Sequence, residues 1–171
     1  MSIRFPRGGD SLETSAIPGT SSWGFLPTTE HLRCEIQGAL LEWLGPDVDL
    51  SPSGDLARPG HRSGFRILGA RQGFLELSLC PDFVRRLTAI PRAKTGSSNG
   101  GDDVCRDFVL ICAGRLLKLL AGSHSPDFVL EKVKEYAPSR VPERNPDQSV
   151  TFSSGGGLIR VRLWWGSGSR G

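Results

Sequence analysis

Residues 64–80 read GFRILGARQGFLELSLC, and this stretch decides the fold class. Phe65 and Ile67 precede a short polar connection, and Phe74, Leu75, Leu77 and Leu79 follow it. Ala70 to Gly73 supply the turn. Apolar residues at a period of two on both sides of a Gly-containing turn predict a two-stranded hairpin. Arg66, Glu76 and Ser78 fall at the alternate positions and are expected to point outward. A hairpin means antiparallel sheet, and one face of such a sheet is free to carry helices.

Helical patterns flank the hairpin. Pro81 to Ile90 (PDFVRRLTAI) has Pro at the first helical position and Asp82 in the first turn, both favourable at a helix start. Val84, Leu87 and Ile90 are expected inside, Arg85 and Arg86 outside, and Pro91 ends the run. Residues 92–101 form a Gly/Ser-rich loop. The longest apolar-periodic run follows, DDVCRDFVLICAGRLLKLLA over 102–121, with Gly122 as its stop. On a wheel of about 100° per residue, Val104, Cys105, Phe108, Ile111, Cys112, Leu116, Leu119 and Leu120 share one broad side. Asp102, Asp103, Arg106, Asp107, Arg115 and Lys118 share the other. Leu110 sits inside the polar arc with Gly114 one turn on. That arc is either a docking surface or a solvated face with an ordinary surface Leu.

Upstream, Thr28 to Leu44 (TTEHLRCEIQGALLEWL) is a helix capped by Thr28 or Thr29. Leu32, Ile36, Leu40 and Trp43 recur at core spacing, and Gly45-Pro46 stops it. Residues 46–63 read as a loop with a weak signal for one edge strand. Downstream, Pro126 and Asp127 open a short helix or extended turn with Val129, Val133 and Tyr136 on one side. SVTFSSGGGLIRVRLWW (149–165) is a second hairpin turning at Gly155–Gly157. Its Ile159, Val161 and Leu163 face one way and Arg160 and Arg162 the other. These elements predict an α+β fold: antiparallel β-hairpins in a sheet with helices packed on one face. The expected organisation is a disordered lead-in over 1–26, one domain over 27–165 and a disordered tail over 166–171.

Composition narrows the functional classes. The 171-residue chain carries 21 Lys and Arg against 18 Asp and Glu, a net +3. The basic residues are scattered, not arranged in a stripe with interleaved aromatics, so nucleic acid is not an expected partner. The four cysteines have no C-x-x-C spacing and read as reduced small hydrophobes, without a disulfide frame or a zinc site. No apolar run is long enough for a membrane span and no secretory leader is recognisable. The expected compartment is the cytoplasm. Catalytic signatures are missing too: neither G-x-S-x-G nor H-E-x-x-H occurs. The Ser123-His124-Ser125 loop places neighbours side by side without making a triad. The triple Gly lacks the Lys and the helix start of a phosphate loop.

The order of elements and three local matches resemble the CheC/CheX family of chemotaxis phosphatases. The matches are FRILGARQGFLELSL, the following PDFVRRLTAI, and the central helix. There the family carries an acidic residue, Glu four positions on, Asn three further, then a small-small pair. In this chain those positions are Asp103, Asp107, Leu110, Ala113 and Gly114. The resemblance spans residues 28–165. It implies a CheX-like domain that binds a phosphorylated response-regulator receiver domain, with Asp103, Asp107, Leu110 and Gly114 at the contact. Any magnesium would belong to the receiver, and no cofactor is implied for this chain. In the family the Glu anchors the partner and the Asn orients water for in-line attack on the aspartyl phosphate. Here Asp107 keeps the charge and shortens the reach, while Leu110 has no hydrogen-bonding group. The family's Pro after the Asn has only Pro126 as a counterpart, and it comes earlier. The implied activity is therefore weak or lost. The alternatives are an active phosphatase using Asp107 as its catalytic residue, or a non-catalytic scaffold or homodimer joined through a sheet edge such as 158–165.

Overall fold

The computed structural model describes residues 26–46, 48–69, 72–89, 101–121, 129–132 and 140–166, with the side chains of 101–103, 130 and 132 left out. In chain order the elements are α1 (Thr29–Leu44), β1 (Ser51–Ser53), β2 (His61–Leu68), β3 (Gly73–Leu79), α2 (Pro81–Thr88), α3 (Gly101–Ala121), β4 (Val129–Lys132), β5 (Gln148–Ser154) and β6 (Gly157–Trp165). The strands form one six-stranded sheet in the order β1-β5-β6-β3-β2-β4. Every neighbouring pair is antiparallel. The fold is α+β, as the hairpins require.

Local chemistry sets each element. In α1 the His31 amide donates to Thr28 Oγ1 at 3.2 Å and the Thr28 amide donates to His31 Nδ1 at 3.3 Å. This reciprocal capping box satisfies two backbone donors at the helix start. Gly45 ends α1 at φ 88°, a conformation that costs glycine little. In α2 the Cys80 sulfur caps the start, accepting from the Phe83 amide at 3.4 Å. Gly155 and Gly156, both at positive φ, turn β5 into β6.

The sheet has two different faces. Phe65, Ile67, Leu75, Leu77, Leu79, Ile159, Val161 and Leu163 belong to one buried cluster with α1, α2 and α3. Phe108 of α3 is at its centre, fully buried, with ring centroids 6.0 Å from Trp43 of α1 and 5.7 Å from Phe83 of α2. The helices therefore lie on the apolar face.

The opposite face departs from the sequence expectation. Glu76 and Ser78 do not point into water; both are fully buried. The Arg162 guanidinium grips the Glu76 carboxylate through Nε at 2.8 Å and Nη2 at 2.6 Å, and Ser78 Oγ donates to it at 3.0 Å. Arg160 stands 3.7 Å from the same carboxylate and donates to Asp55 at 3.1 Å. Its guanidinium also donates to the Leu56 carbonyl at 3.4 Å, and Leu56 is itself buried. The segment carrying Asp55 and Leu56 thus lies against this face, which alternation alone does not disclose. Arg66 does face outward, with its side chain 56% exposed.

At the other end of that face, the Trp164 indole N–H donates to the Arg144 carbonyl at 2.8 Å. Asp147 receives two 2.8 Å hydrogen bonds from Arg144 and one of 2.6 Å from the Trp165 amide. The Arg144 hydrogen bond and charge hold the Asp147 carboxyl below the usual carboxylate range, with the Trp165 amide adding to it, against the opposing effect of burial. A depressed pKa in the folded state stabilises above the unfolded value and stops doing so as pH falls through the folded one. Urea denaturation of the native chain and of Asp147→Asn at stepped pH is therefore expected to show a gap that is constant near neutrality and closes as pH drops below about 4. A gap that stayed open in acid would contradict this role.

Two further expectations are corrected. Residues 158–165 are not an edge, because β6 lies between β5 and β3. Among the described residues the edges are β1 and β4. Residues 129–132 are strand, where a short helix or turn was expected; they pair with β2 from Leu68↔Val129 to Phe65↔Lys132. The open backbone edge of β2 supplies hydrogen bonds that an isolated turn lacks. Ile90, Gly122 to Pro126 (including His124) and Val133 to Tyr136 lie outside the described residues, as does the lead-in to residue 25.

Candidate functional site

Helix α3 buries Val104, Cys105, Phe108, Val109, Cys112, Ala113 and Leu116 against the core. What it turns outward follows from the spacing. Positions 103, 107, 110 and 114 recur at four, three and four residues, which places them along one side of a helix. Asp107 is 39% exposed, beside the 50% exposed Arg106, whose Nε stands 3.8 Å from Asp107 Oδ1. Leu110 is 41% exposed. Gly114 is half-buried, and a Cβ built on it meets no atom within 4 Å. That glycine is thus not demanded by packing. Lys118 extends the exposed line. Asp103 is helical one turn before Asp107, and its side chain is outside the described residues. Ala113 is fully buried and is a packing residue.

Helix α1 lies beside α3, and Arg115 joins the two. Its guanidinium is 3.5 Å from Glu35 and bonds Glu42. Those carboxylates are two turns apart on α1, on one side of it. Gly38 lies between them, and a Cβ there would stand 2.7 Å from Arg115 Nη1. The missing side chain is what lets the guanidinium lie across α1. Glu42 holds Arg115 more firmly protonated than usual, by hydrogen bond first and by charge second. Leu41 on α1 is 43% exposed, a second large apolar side chain in this outer layer. Sequence reading missed the Arg115 bridge. Its only signal was two glutamates seven apart on one helix and an Arg on the polar arc of another.

The chemical capacity of this layer is narrow. Residues 104–121 of α3 contain neither amide nor hydroxyl nor imidazole. The nearby amide of α1, Gln37, is engaged: its nitrogen donates to the Val48 carbonyl at 3.3 Å and its oxygen accepts from Arg33 at 2.7 Å. Asp107 therefore offers a charge without a neighbouring group on its helix to hold a water in line. Among the described residues no group of three or more His, Cys, Asp or Glu is placed to hold a metal ion. Of the cysteines, Cys80, Cys105 and Cys112 are buried and Cys34 is exposed, all four as free thiols. Burial pushes the Cys112 thiol up, so it stays protonated. Among the described residues no helix is long and apolar enough to cross a membrane.

No protein-family model and no curated protein matches the chain. Its fold is matched by solved structures. One is a chain of the CheX–CheY–BeF3–Mg2+ complex from Borrelia burgdorferi, at TM-score 0.54 and 10% identity, covering 84% of this chain and 100% of that one. Another is the chemotaxis protein CheX from Vibrio vulnificus, at TM-score 0.52 and 16% identity, covering 80% of this chain and 97% of that one. The chain therefore has the CheX-like fold, over nearly the whole length of those structures.

Proposed function

We propose that this chain is a CheX-like domain of chemotaxis or two-component signalling, working in the cytoplasm, that docks a response-regulator receiver domain on the outward side of α3. Asp107, Leu110 and Gly114, with Asp103 one turn before them, are the contact residues. The observation that carries this reading is Leu110: a large apolar side chain, 41% exposed, in the middle of a polar stripe. A fold shared with a protein solved together with CheY supports the choice of partner. Leu110 and the open space over Gly114 give an approaching surface something apolar to cover, and Asp107 supplies a charge to anchor a cation on it.

Phosphatase activity is weak or lost in this proposal. Aspartyl phosphate is intrinsically labile, and positioning one water is a large part of what a catalyst adds. A leucine cannot do that. The receiver, not this chain, brings any magnesium.

The test measures phosphate loss from a magnesium-loaded, phosphorylated chemotaxis receiver in the presence of the native chain, Asp107→Ala, and the double variant Asp107→Glu/Leu110→Asn. The native chain is expected to leave the rate near its intrinsic value, and the double variant to raise it about tenfold or more. Acceleration by the native chain that Asp107→Ala abolishes would make it an enzyme and overturn the lost-activity reading. Inertness of all three, with no receiver binding, would sink the docking proposal.

One observation favours a second reading. Val129 on β4, an edge strand among the described residues, is 61% exposed, and a strand edge invites pairing with another copy. Concentration-dependent size in solution, with indifference to Asp107, would select this scaffold reading.

A further inference from the structure

Away from α3, on the sheet face opposite the helices, the chain has a cavity of about 700 Å³. Its floor is a row of residues directly opposite one another on three strands: Arg66 of β2, Phe74 of β3 and Trp164 of β6. Phe74 and Trp164 meet edge to face at 5.7 Å and form, with Val141, an apolar cluster separate from the main core. The segment 140–144 makes the opposite wall. That wall is fixed in place. The Arg144 carbonyl holds the Trp164 indole, and the Arg144 side chain is locked onto Asp147.

The charges around the cavity differ in how far they are committed. Arg144 is neutralised by its bidentate carboxylate. Arg66 is 56% exposed, and the carboxylate paired with it, Glu131, stands 3.9 Å away. Arg140 is exposed and has no hydrogen bond or ion pair among the described residues. Glu143, also exposed, adds one carboxylate to the lining. Two guanidiniums, Arg66 and Arg140, thus border an aromatic-floored cavity without being tightly bound to a carboxylate, and they outnumber that acid. A guanidinium fork suits carboxylate and phosphate oxygens, and the volume suits one small molecule.

We infer that this cavity binds a small organic anion: a flat apolar body laid against Phe74, Trp164 and Val141, with its carboxylate or phosphate held by Arg66 and Arg140. The site is independent of the α3 surface, which lies across the sheet. Both head groups share the chemistry that the two arginines recognise, and the strength of each separates them.

Isothermal calorimetry of the full chain tests this with three probes: 1-naphthoate, 1-naphthyl phosphate and the neutral 1-naphthamide. At least one anion is expected to bind at least tenfold more tightly than the amide, and the tighter of the two identifies the head group. Arg140→Ala and Arg66→Ala, both at exposed positions, are each expected to weaken that anion about tenfold and leave the amide unchanged. Far-UV circular dichroism checks that the variants are folded. Equal binding of anion and amide, anion binding unchanged in both variants, or no binding of any probe at millimolar concentration would each overturn the inference.

Discussion

Glu76→Ala is expected to lower the unfolding free energy by about 3–5 kcal/mol, the cost of stripping one partner from a buried ion pair. The carboxylate is fully buried and serves two cations and a hydroxyl at once: Arg162 in a fork, Arg160 at 3.7 Å, and Ser78. Removing it leaves Arg162 three-quarters buried without its counter-charge, and leaves Arg160 with the Leu56 carbonyl and the exposed carboxylate of Asp55. The measurement is urea denaturation at neutral pH. The double change Glu76→Leu/Arg162→Met removes both charges of the tight pair, and it is expected to recover most of the loss. A cost below about 1 kcal/mol for Glu76→Ala would mean that the pair behaves like an exposed one. The whole face would then be wetter than its burial implies.

Phe108→Ala should cost about 3–5 kcal/mol as well, for a different reason: a large cavity in a close-packed core. The ring touches Trp43 and Phe83, so one truncation loosens α3 from both other helices. Two positions along the same helix, Leu110→Ala is expected to shift stability by less than about 1 kcal/mol, because its side chain is 41% exposed. The contrast between these leucine and phenylalanine truncations, read from denaturant midpoints, tests the orientation of α3 directly. If Leu110→Ala were as costly as Phe108→Ala, the proposed contact surface would be core.

The first hairpin, the three helices and the hairpin at the end of the sheet were legible because each is written in a local period. Thr28, Pro81 and the Gly155-Gly156 pair marked their boundaries in residues whose backbone preferences are strong. Leu110 was legible as an anomaly for the same reason: helical spacing alone puts it among charges. Three things were not local. Alternation separates the two faces of a strand but does not reveal that a distant segment covers the second one, so Glu76, Ser78, Arg160 and Arg162 read as more solvated than they are. Strand order depends on which edges meet, so β6 read as an edge when it is central. The four residues of β4 carry too little pattern to declare themselves; the free edge of β2 makes them a strand. The Arg115 bridge to Glu35 and Glu42 joins two helices far apart in sequence, and no single-helix reading contains it.

The position of β6 also has a consequence for biosynthesis. The sheet's central pairing sets Gly73 against Trp165 and Leu79 against Ile159. On the ribosome, α1, α2, α3 and the first hairpin all emerge before the strand that completes them. Until Trp165 has left the exit tunnel, β3 has one side without a neighbour and Glu76 has neither arginine. Closing such long-range pairs is slow, and an unpaired strand is an invitation to other chains. The nascent protein is therefore open to aggregation through the bare side of β3 for the interval between the emergence of the first hairpin and that of β6.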